Sequence, residues 1–505
     1  MNKTLVILLV ILSITPLLKA QSITGKIIDS KTGESIPYAN IMINETEDFI
    51  SNAEGYFSIS ENLSNDESVL TISYLGYVNR RLTIAELKKL NYTIKLEQGI
   101  FELNDVEVSK EDTNPFKIMA KVKENLDRNY KNDGNPTKDR LFIRNSNFFN
   151  PTKFEFTIDK STEMSKKALQ SANNDLNTYS SILIAHPPQE FTDILCDYYS
   201  VKTIKDEKPS VLSKLDVLKA TKLRNEKRSI SFDELEKKFT NIMLKNLDST
   251  KYYRVKSGLF GSRDTVSLRK DYNKKKYLKV ENNVGIEKSE LESFKNQQNI
   301  IKNEKFGFIN HPEWYNYEYE AVAYSKENEF VYIIRFSPKK SKAKYIGKLY
   351  VSEKDYAVLR ADYKLEDGKT EFGFNMKFLL GVKVSVNVSN GTLIFKENPI
   401  DKGYYLHYAS IENGYYFYFD RPIKFIELTK EEKDIVSFDL KVEGRTKEKN
   451  EFLNISHTSS SKSTIENFTE NDFKYINLKK YDSNIWKDYI AIEPLEEMKQ
   501  FKAED

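Results

Sequence analysis

The sequence predicts a mainly β chain with added α-helices. It expects an N-terminal β-sandwich of seven-stranded type, then a larger α+β domain on a curved, half-barrel-like antiparallel sheet. Three observations carry this. Between Ser22 and about Lys110, short alternating apolar runs are separated by glycine turns. Over residues 115–130, apolar residues recur at spacings of three and four. From about residue 252 onward, strand-like runs follow one another closely. With 505 residues, 39% hydrophobic and 12% aromatic, the chain can bury more than one core and does not read as disordered. The expected divisions are 1–20, 21–110, 111–455 and 456–505.

Residues 1–20 read as a secretory signal. Lys3 gives the positive start, Leu5 to Leu12 is unbroken and apolar, and Ala20 ends the segment in a small residue. Leu18 stands where a small residue is usual, which leaves the cut site open. An uncleaved anchor is the competing reading, but the run is short for a hydrocarbon core of about 30 Å. Cleavage leaves 76 basic against 75 acidic residues. This balance excludes the basic excess of a dedicated nucleic-acid binder. No later run of 18 apolar residues exists, so no transmembrane helix is expected. Charged residues on both parities, as in Phe336–Lys344 and Lys424–Asp434, favour a soluble sheet over a membrane barrel.

In the sandwich segment, Ile23, Ile27 and Ile28 flank Gly25 in a first strand, and Asp29 to Glu34 form a turn with Gly33 at its positive-φ position. Ala39–Ile43 is a second run. Asn52-Ala-Glu-Gly55 turns the chain into Tyr56 and Phe57, and Leu70, Ile72 and Tyr74 alternate before Gly76. Tyr92, Ile94 and Leu96 make a further strand, with Val106 and Val108 in the last. The ordered motifs are Gly25-Lys-Ile-Ile-Asp29, Thr32-Gly33, Ile36-Pro37-Tyr38-Ala39-Asn40-Ile41, Asn52-Ala-Glu-Gly55-Tyr56-Phe57, Ser73-Tyr-Leu-Gly76-Tyr77 and Leu103-Asn-Asp-Val106-Glu-Val108. Together they resemble the carboxypeptidase-like regulatory domain of bacterial envelope proteins. That resemblance implies an accessory sandwich, not a zinc peptidase. Asn52 departs from the family, which often has Asp there, and this weakens any idea of an ion at the turn.

Asn114-Pro115 reads as an N-cap with proline at the first helical position. Phe116, Met119, Val122, Leu126 and Tyr130 then mark one face of a helix, before a polar loop from Lys131 to Lys138. This helix and loop resemble the start of the periplasmic part of a Bacteroidetes outer-membrane family of unknown function. The stretch from about 160 to 250 reads as lysine-rich and mostly helical. Ser231 and Glu234 form a capping box ahead of Phe232, Leu235, Phe239, Ile242 and Met243. The run Lys214, Lys219, Lys222, Arg224, Lys227 and Arg228 reads as a solvated face or as a contact for anionic lipid. Strands are expected at Tyr253–Val255, Tyr277–Val280, Glu318–Tyr324, Phe330–Phe336, Tyr345–Val351, Tyr356–Lys364, Leu393–Lys396, Tyr404–Ile411, Tyr415–Phe419, Phe425–Leu428 and Ile435–Val442. The hairpin Tyr345–Ala361, turning at Ser352–Asp355, resembles those of the half-barrel lipoprotein-carrier fold. Tyr405, His407 and Ala409 share one parity, as do Tyr415, Phe417 and Phe419. Such a face must be covered by helices, by curvature or by a bound ligand. Ser459–Ser463 is a polar loop, and Trp486 is expected to pin the tail on the sheet, or else to serve a partner.

Signatures of common chemistry are absent from the sequence. The four histidines, His186, His311, His407 and His457, have Gln189, Trp314, Ser410 and Ser460 three residues on, so no His-x-x-Glu zinc motif exists. No two glycines have the G-x-G or G-x-S-x-G spacing, and Gly368 and Gly373 are followed by Phe374 rather than the Walker lysine. The single Cys196, flanked by Asp193 and Asp197, reads as a buried hydrophobe with a raised thiol pKa. Glu190 and Asp193 are a carboxylate pair too common to be diagnostic. No catalytic, cofactor or metal residue is assigned, and the ligand-binding residues are unknown. The function expected is that of a non-catalytic, secreted envelope protein that binds a protein partner or a hydrophobic or lipid ligand, in the periplasm or at the outer membrane. The alternative is a carboxylate-dependent hydrolase using His311 or His407.

Overall fold

The computed structural model describes residues 23–503 apart from 46, 61–64, 102–113, 132–133, 163, 225–250, 258–259, 268–281, 325–329 and 429–433. The signal segment, the Leu103–Val108 motif, the Ser231 capping box with its helix, Lys227, Arg228 and the Tyr277–Val280 strand lie outside the described residues.

The chain divides into two compact units: residues 1–72, 80–96 and 482–493, and residues 73–79, 97–481 and 494–505. Seven short strands form the N-terminal sandwich: β1 (Ile23–Asp29), β2 (Asn40–Ile43), β3 (Glu47–Ile50), β4 (Tyr56–Ile59), β5 (Val69–Ser73), β6 (Arg80–Thr83) and, after helix α1 (Ile84–Lys89), β7 (Thr93–Leu96). One sheet runs β4-β1-β7 and the other β3-β2-β5-β6. The sandwich is not wholly antiparallel, because β1 and β7 pair in parallel. Gly25 lies opposite Phe57 in the register. A Cβ on Gly25 would stand 2.3 Å from the Phe57 ring, so these two motif residues require each other. Asn52 is buried, and its Oδ1 accepts from the Glu54 and Tyr56 amides at 2.9 Å each. It serves the turn.

The second unit begins with β8 (Ile100–Phe101) and α2 (Pro115–Tyr130), followed by β9 (Thr137–Ser161), α3 (Lys166–Ala185), β10 (Gln189–Lys205), β11 (Lys208–Arg224), β12 (Tyr252–Ser257) and β13 (Phe260–Ser267). Helices α4 (Asn283–Gln297) and α5 (Gly307–Asn310) come next, then β14 (Tyr315–Tyr324), β15 (Phe330–Pro338), β16 (Tyr345–Ser352), β17 (Val358–Leu365) and β18 (Phe372–Met376). The chain continues through α6 (Lys377–Leu380), β19 (Val382–Glu397), β20 (Tyr404–Glu427), β21 (Asp434–Ser459), α7 (Lys462–Asn467), β22 (Ile476–Leu478) and α8 (Glu496–Lys499). Among the described residues, fifteen strands make one open sheet: twelve run in the path β22-β11-β10-β9-β21-β20-β19-β17-β16-β15-β14-β8, while β12 pairs with β20, β13 with β12 and β18 with β19. It is curved and half-barrel-like. Among the described residues, no helix is long and apolar enough to cross a membrane, which says nothing about strands.

Several expectations change. Residues 186–224 are not helical; after α3 they form the β10–β11 hairpin, and Lys222 answers Glu190 at 3.3 Å. Tyr404–Ile411, Tyr415–Phe419 and most of Phe425–Leu428 are one strand, β20. In α2 the cap is as read, with Asn114 Oδ1 accepting from Phe116 N at 3.0 Å, but the buried face is Ile118, Met119, Val122 and Leu126, and Phe116 is exposed. Trp486 belongs to the segment grouped with the sandwich, where Ser58 donates to Glu493. The tail residues on the large sheet are instead Met498 and Phe501, packed with Phe148, Phe191 and Leu223.

Strand register shows where the core sits. Along β9, Leu141 and Ile143 point to one face, and after the irregularity at Pro151 the same face continues through Phe154, Phe156 and Ile158. The face carries two apolar clusters. Residues from α2, α4 and α5, with Phe306 and Trp314, cover the first, around Leu141, Phe452, Ala409 and Leu393. Leu176 and Leu183 of α3 cover the second, around Phe149, Phe154, Phe156 and Phe438. The protein's own helices therefore close the apolar face at both clusters.

Candidate functional site

Between those two clusters the same sheet face turns polar. Asn145 and Asn147 of β9 follow Ile143 at strand spacing, and Glu448 and Asn450 of β21 precede Phe452; Asn147 lies opposite Glu448 and Asn145 opposite Asn450. Helix α4 lies over this band and lines a cleft of about 370 Å³ with Glu287, Glu290, Leu291, Ser293, Phe294 and Gln297. These are the residues of one helical face at spacings of three and four. The volume falls in the range of small-ligand sites. Phe294 stacks on Phe452 with centroids 5.7 Å apart, giving an apolar floor beside the acids.

Burial and neighbouring groups act on these acids. Burial raises the Glu287 carboxyl above its ordinary value, opposed by a hydrogen bond from the Tyr475 hydroxyl. Burial also raises Glu290, with Lys222 opposing and the Glu448 charge adding to it. Glu448 accepts from Asn450 Nδ2 at 2.8 Å. Glu451 is engaged by Lys449 at 3.1 Å and the Tyr408 hydroxyl at 3.2 Å. The cleft therefore offers carboxylates and amide groups next to aromatic surface. That suits an amphipathic cation, whose aliphatic stem packs while its head meets the acids.

Beside the cleft, Asp139 of β9 binds His457 Nδ1, and Lys295 of α4 stands 3.5 Å from its other oxygen. Burial opposes ionisation of Asp139, but Lys295 and His457 outweigh it and hold the carboxyl below its usual value. His457, whose side chain is 7% exposed, stacks on Tyr405 at 4.5 Å.

The residues weighed from sequence are scattered. His186 is the C-cap of α3. His311 stacks on Trp314 at 3.9 Å and meets the half-exposed Glu313 at 3.3 Å. His407 is buried within β20. Cys196 is buried, and burial followed by the Asp197 charge pushes its thiol up. Glu190 and Asp193 differ in strand parity: Glu190 meets Lys222, while Asp193 makes a buried bidentate pair with Arg144 at 2.7 Å for both bonds. None of these lines the cleft. Among the described residues, no three His, Cys, Asp or Glu side chains are grouped to hold a metal ion. Sequence reasoning missed α4 and the Asn145/Asn147 and Glu448/Asn450 pairs. The available signal was Asn145 and Asn147 at spacing two after Leu141 and Ile143 in β9; the charged run around Glu448 and Asn450 carried none.

These features define a class: a regulatory-type sandwich joined to a helix-covered open sheet with a polar cleft. Residues 23–108 match the family model of the CarboxypepD_reg-like domain, so the chain contains that domain. No curated protein matches. Solved structures with likeness include a DUF1329 family protein from Desulfovibrio piger, at 11% identity and TM-score 0.17, covering 70% of this chain and 98% of that one. The MucA/MucB complex of Pseudomonas aeruginosa aligns at 6% identity and TM-score 0.14, covering 70% and 99%. A membrane-associated protein of unknown function from Bacteroides fragilis aligns at 9% and 0.11, covering 87% and 98%. At such TM-scores these likenesses carry no argument.

Proposed function

We propose that this is a secreted, non-catalytic envelope protein that acts by binding, and that its cleft under α4 takes a basic segment of a partner protein. The observation that carries the reading is the pairing of Glu287 and Glu290 over the Asn145, Asn147, Glu448 and Asn450 band. Lysine and arginine side chains match both the acids and the Phe294–Phe452 floor. A hydrophobic carrier is less well supported, because helices fill the sheet face on either side of the band. Titration calorimetry of the mature chain with a tetralysine peptide tests the reading. Saturable binding is expected, weakened about tenfold or more in the Glu287→Gln/Glu290→Gln variant. No binding, or binding indifferent to both substitutions, rejects it.

The carboxylate-dependent hydrolase keeps one supporting observation, the raised carboxyls of Glu287 and Glu290, since a general acid needs such a shift. Its histidine form is less well supported, since His311 meets the half-exposed Glu313 and His407 is buried within β20. Turnover of chromogenic ester or glycoside substrates, abolished by Glu290→Gln, is the result that would favour it.

A further inference from the structure

The sheet face that α2, α4 and α3 cover elsewhere continues, bare, onto the β18–β19 hairpin. Register sets Phe372, Phe374 and Met376 opposite Val386, Val384 and Val382, which places all six on one face. Those valines lie opposite Tyr415, Phe417 and Phe419 of β20, where Phe417 still packs against the α3-covered cluster. Further out the cover ends: Phe372 is 57% and Phe374 42% exposed. The connecting turn, α6, carries Phe378 fully exposed and Leu379 at 70%.

The tip is not a loose loop. Gly381 N donates to Lys377 O at 3.0 Å, Asp420 N to Gly381 O at 2.8 Å, and Arg421 Nη1 to Leu380 O at 2.6 Å. Gly381 has φ +62°, and a Cβ there would stand 2.1 Å from the Asp420 carbonyl oxygen. The backbone thus holds two large apolar side chains outward, where water solvates them poorly.

We propose that this hairpin tip docks the protein on a lipid bilayer carrying anionic headgroups. From Phe372 to Asn390 the chain has two lysines, Lys377 and Lys383, and no acidic residue. Both lie over tyrosine rings of β20: Lys377 Nζ is 3.9 Å from the Tyr418 centroid and Lys383 Nζ 5.2 Å from Tyr416. Asp420, the nearest acid in β20, is already held by Lys441 at 2.7 Å and the Tyr418 hydroxyl at 2.8 Å. Exposed apolar side chains beside lysines and tyrosines are the groups that a membrane interface takes. A side chain exposed on every side needs an occupant that closes around it. A bilayer does so without a complementary pocket. The inference does not rest on the cleft, and a change at the tip leaves tetralysine binding unaltered.

Co-sedimentation of the full mature chain with vesicles of phosphatidylethanolamine and phosphatidylglycerol tests it. The chain is expected to pellet with these vesicles and more weakly with phosphatidylcholine alone. The Phe378→Asp/Leu379→Asp variant should bind about tenfold or more weakly, with an unchanged thermal midpoint because both side chains are exposed. The Lys377→Glu/Lys383→Glu variant should lose the salt dependence. A wild-type chain left in the supernatant, or an aspartate variant that pellets equally, overturns the proposal. So does a wild-type dimer that the aspartate variant makes monomeric while vesicle binding persists, since the tip then faces a second copy.

Discussion

Arg144 and Asp193 show how costly single groups are in this sheet. Both are buried, and two parallel hydrogen bonds of 2.7 Å join them. Arg144→Ala strands a carboxylate and is expected to lower unfolding free energy by about 3–5 kcal/mol in urea denaturation, whereas Arg144→Met with Asp193→Leu should cost far less. Asp139 acts through pH. Its folded pKa is depressed, so its contribution is present above the unfolded carboxyl value and is lost as pH falls through the folded value. In acid denaturation, Asp139→Asn should therefore flatten the stability loss below the ordinary carboxyl range. Glu287 and Glu290 have the opposite sign. Their raised values favour the fold at low pH, and that gain is lost as pH rises through them. The charge a cationic ligand needs appears over the same interval. Tetralysine affinity, followed by calorimetry across pH, should rise at pH values above the ordinary glutamate midpoint rather than at it.

At the scale of elements, legibility followed how local the signal was. The α2 cap rests on neighbours in sequence, and Asn114-Pro115 announced it. Asn114→Ala should cost about 1 kcal/mol in thermal or urea unfolding. The β16–β17 hairpin was equally readable, since its turn and both strands lie within one short stretch. The long strands were not. Residues 412–414 lie between two expected strands, yet Gly414 stays in the ladder opposite Val388, whose Cβ would stand 2.9 Å from a Cβ there. Pro151 stands inside β9. It sits where the register with β21 shifts, a place where the ladder tolerates a missing donor. The lysines of β11 suggested a helix because Leu218 is an extra residue where the register with β10 shifts, so Lys214, Lys219 and Lys222 do not keep one parity.

For the whole molecule, the sandwich could be read because its motifs are turns fixed by residues near in sequence, or packing pairs such as Gly25–Phe57 whose members stand in motifs of recognisable type. The half-barrel-like class of the larger sheet followed from closely spaced strands and from the likeness of the Tyr345–Ala361 hairpin to those of half-barrel carriers. The cleft could not be read. Its floor joins Asn145 and Asn147 to Glu448 and Asn450, some 300 residues away along the chain, and its roof is a helix the composition did not announce. The histidines and Cys196 drew attention by residue type, and the structure spends them on caps, stacking and core. If the break in the apolar face under α4 is a receptor for basic groups, as proposed above, a crystal structure of the mature protein with tetralysine will place a lysine ammonium in hydrogen-bond contact with Glu287 or Glu290. An ordered peptide bound elsewhere, with water alone between α4 and the sheet, would refute the proposal.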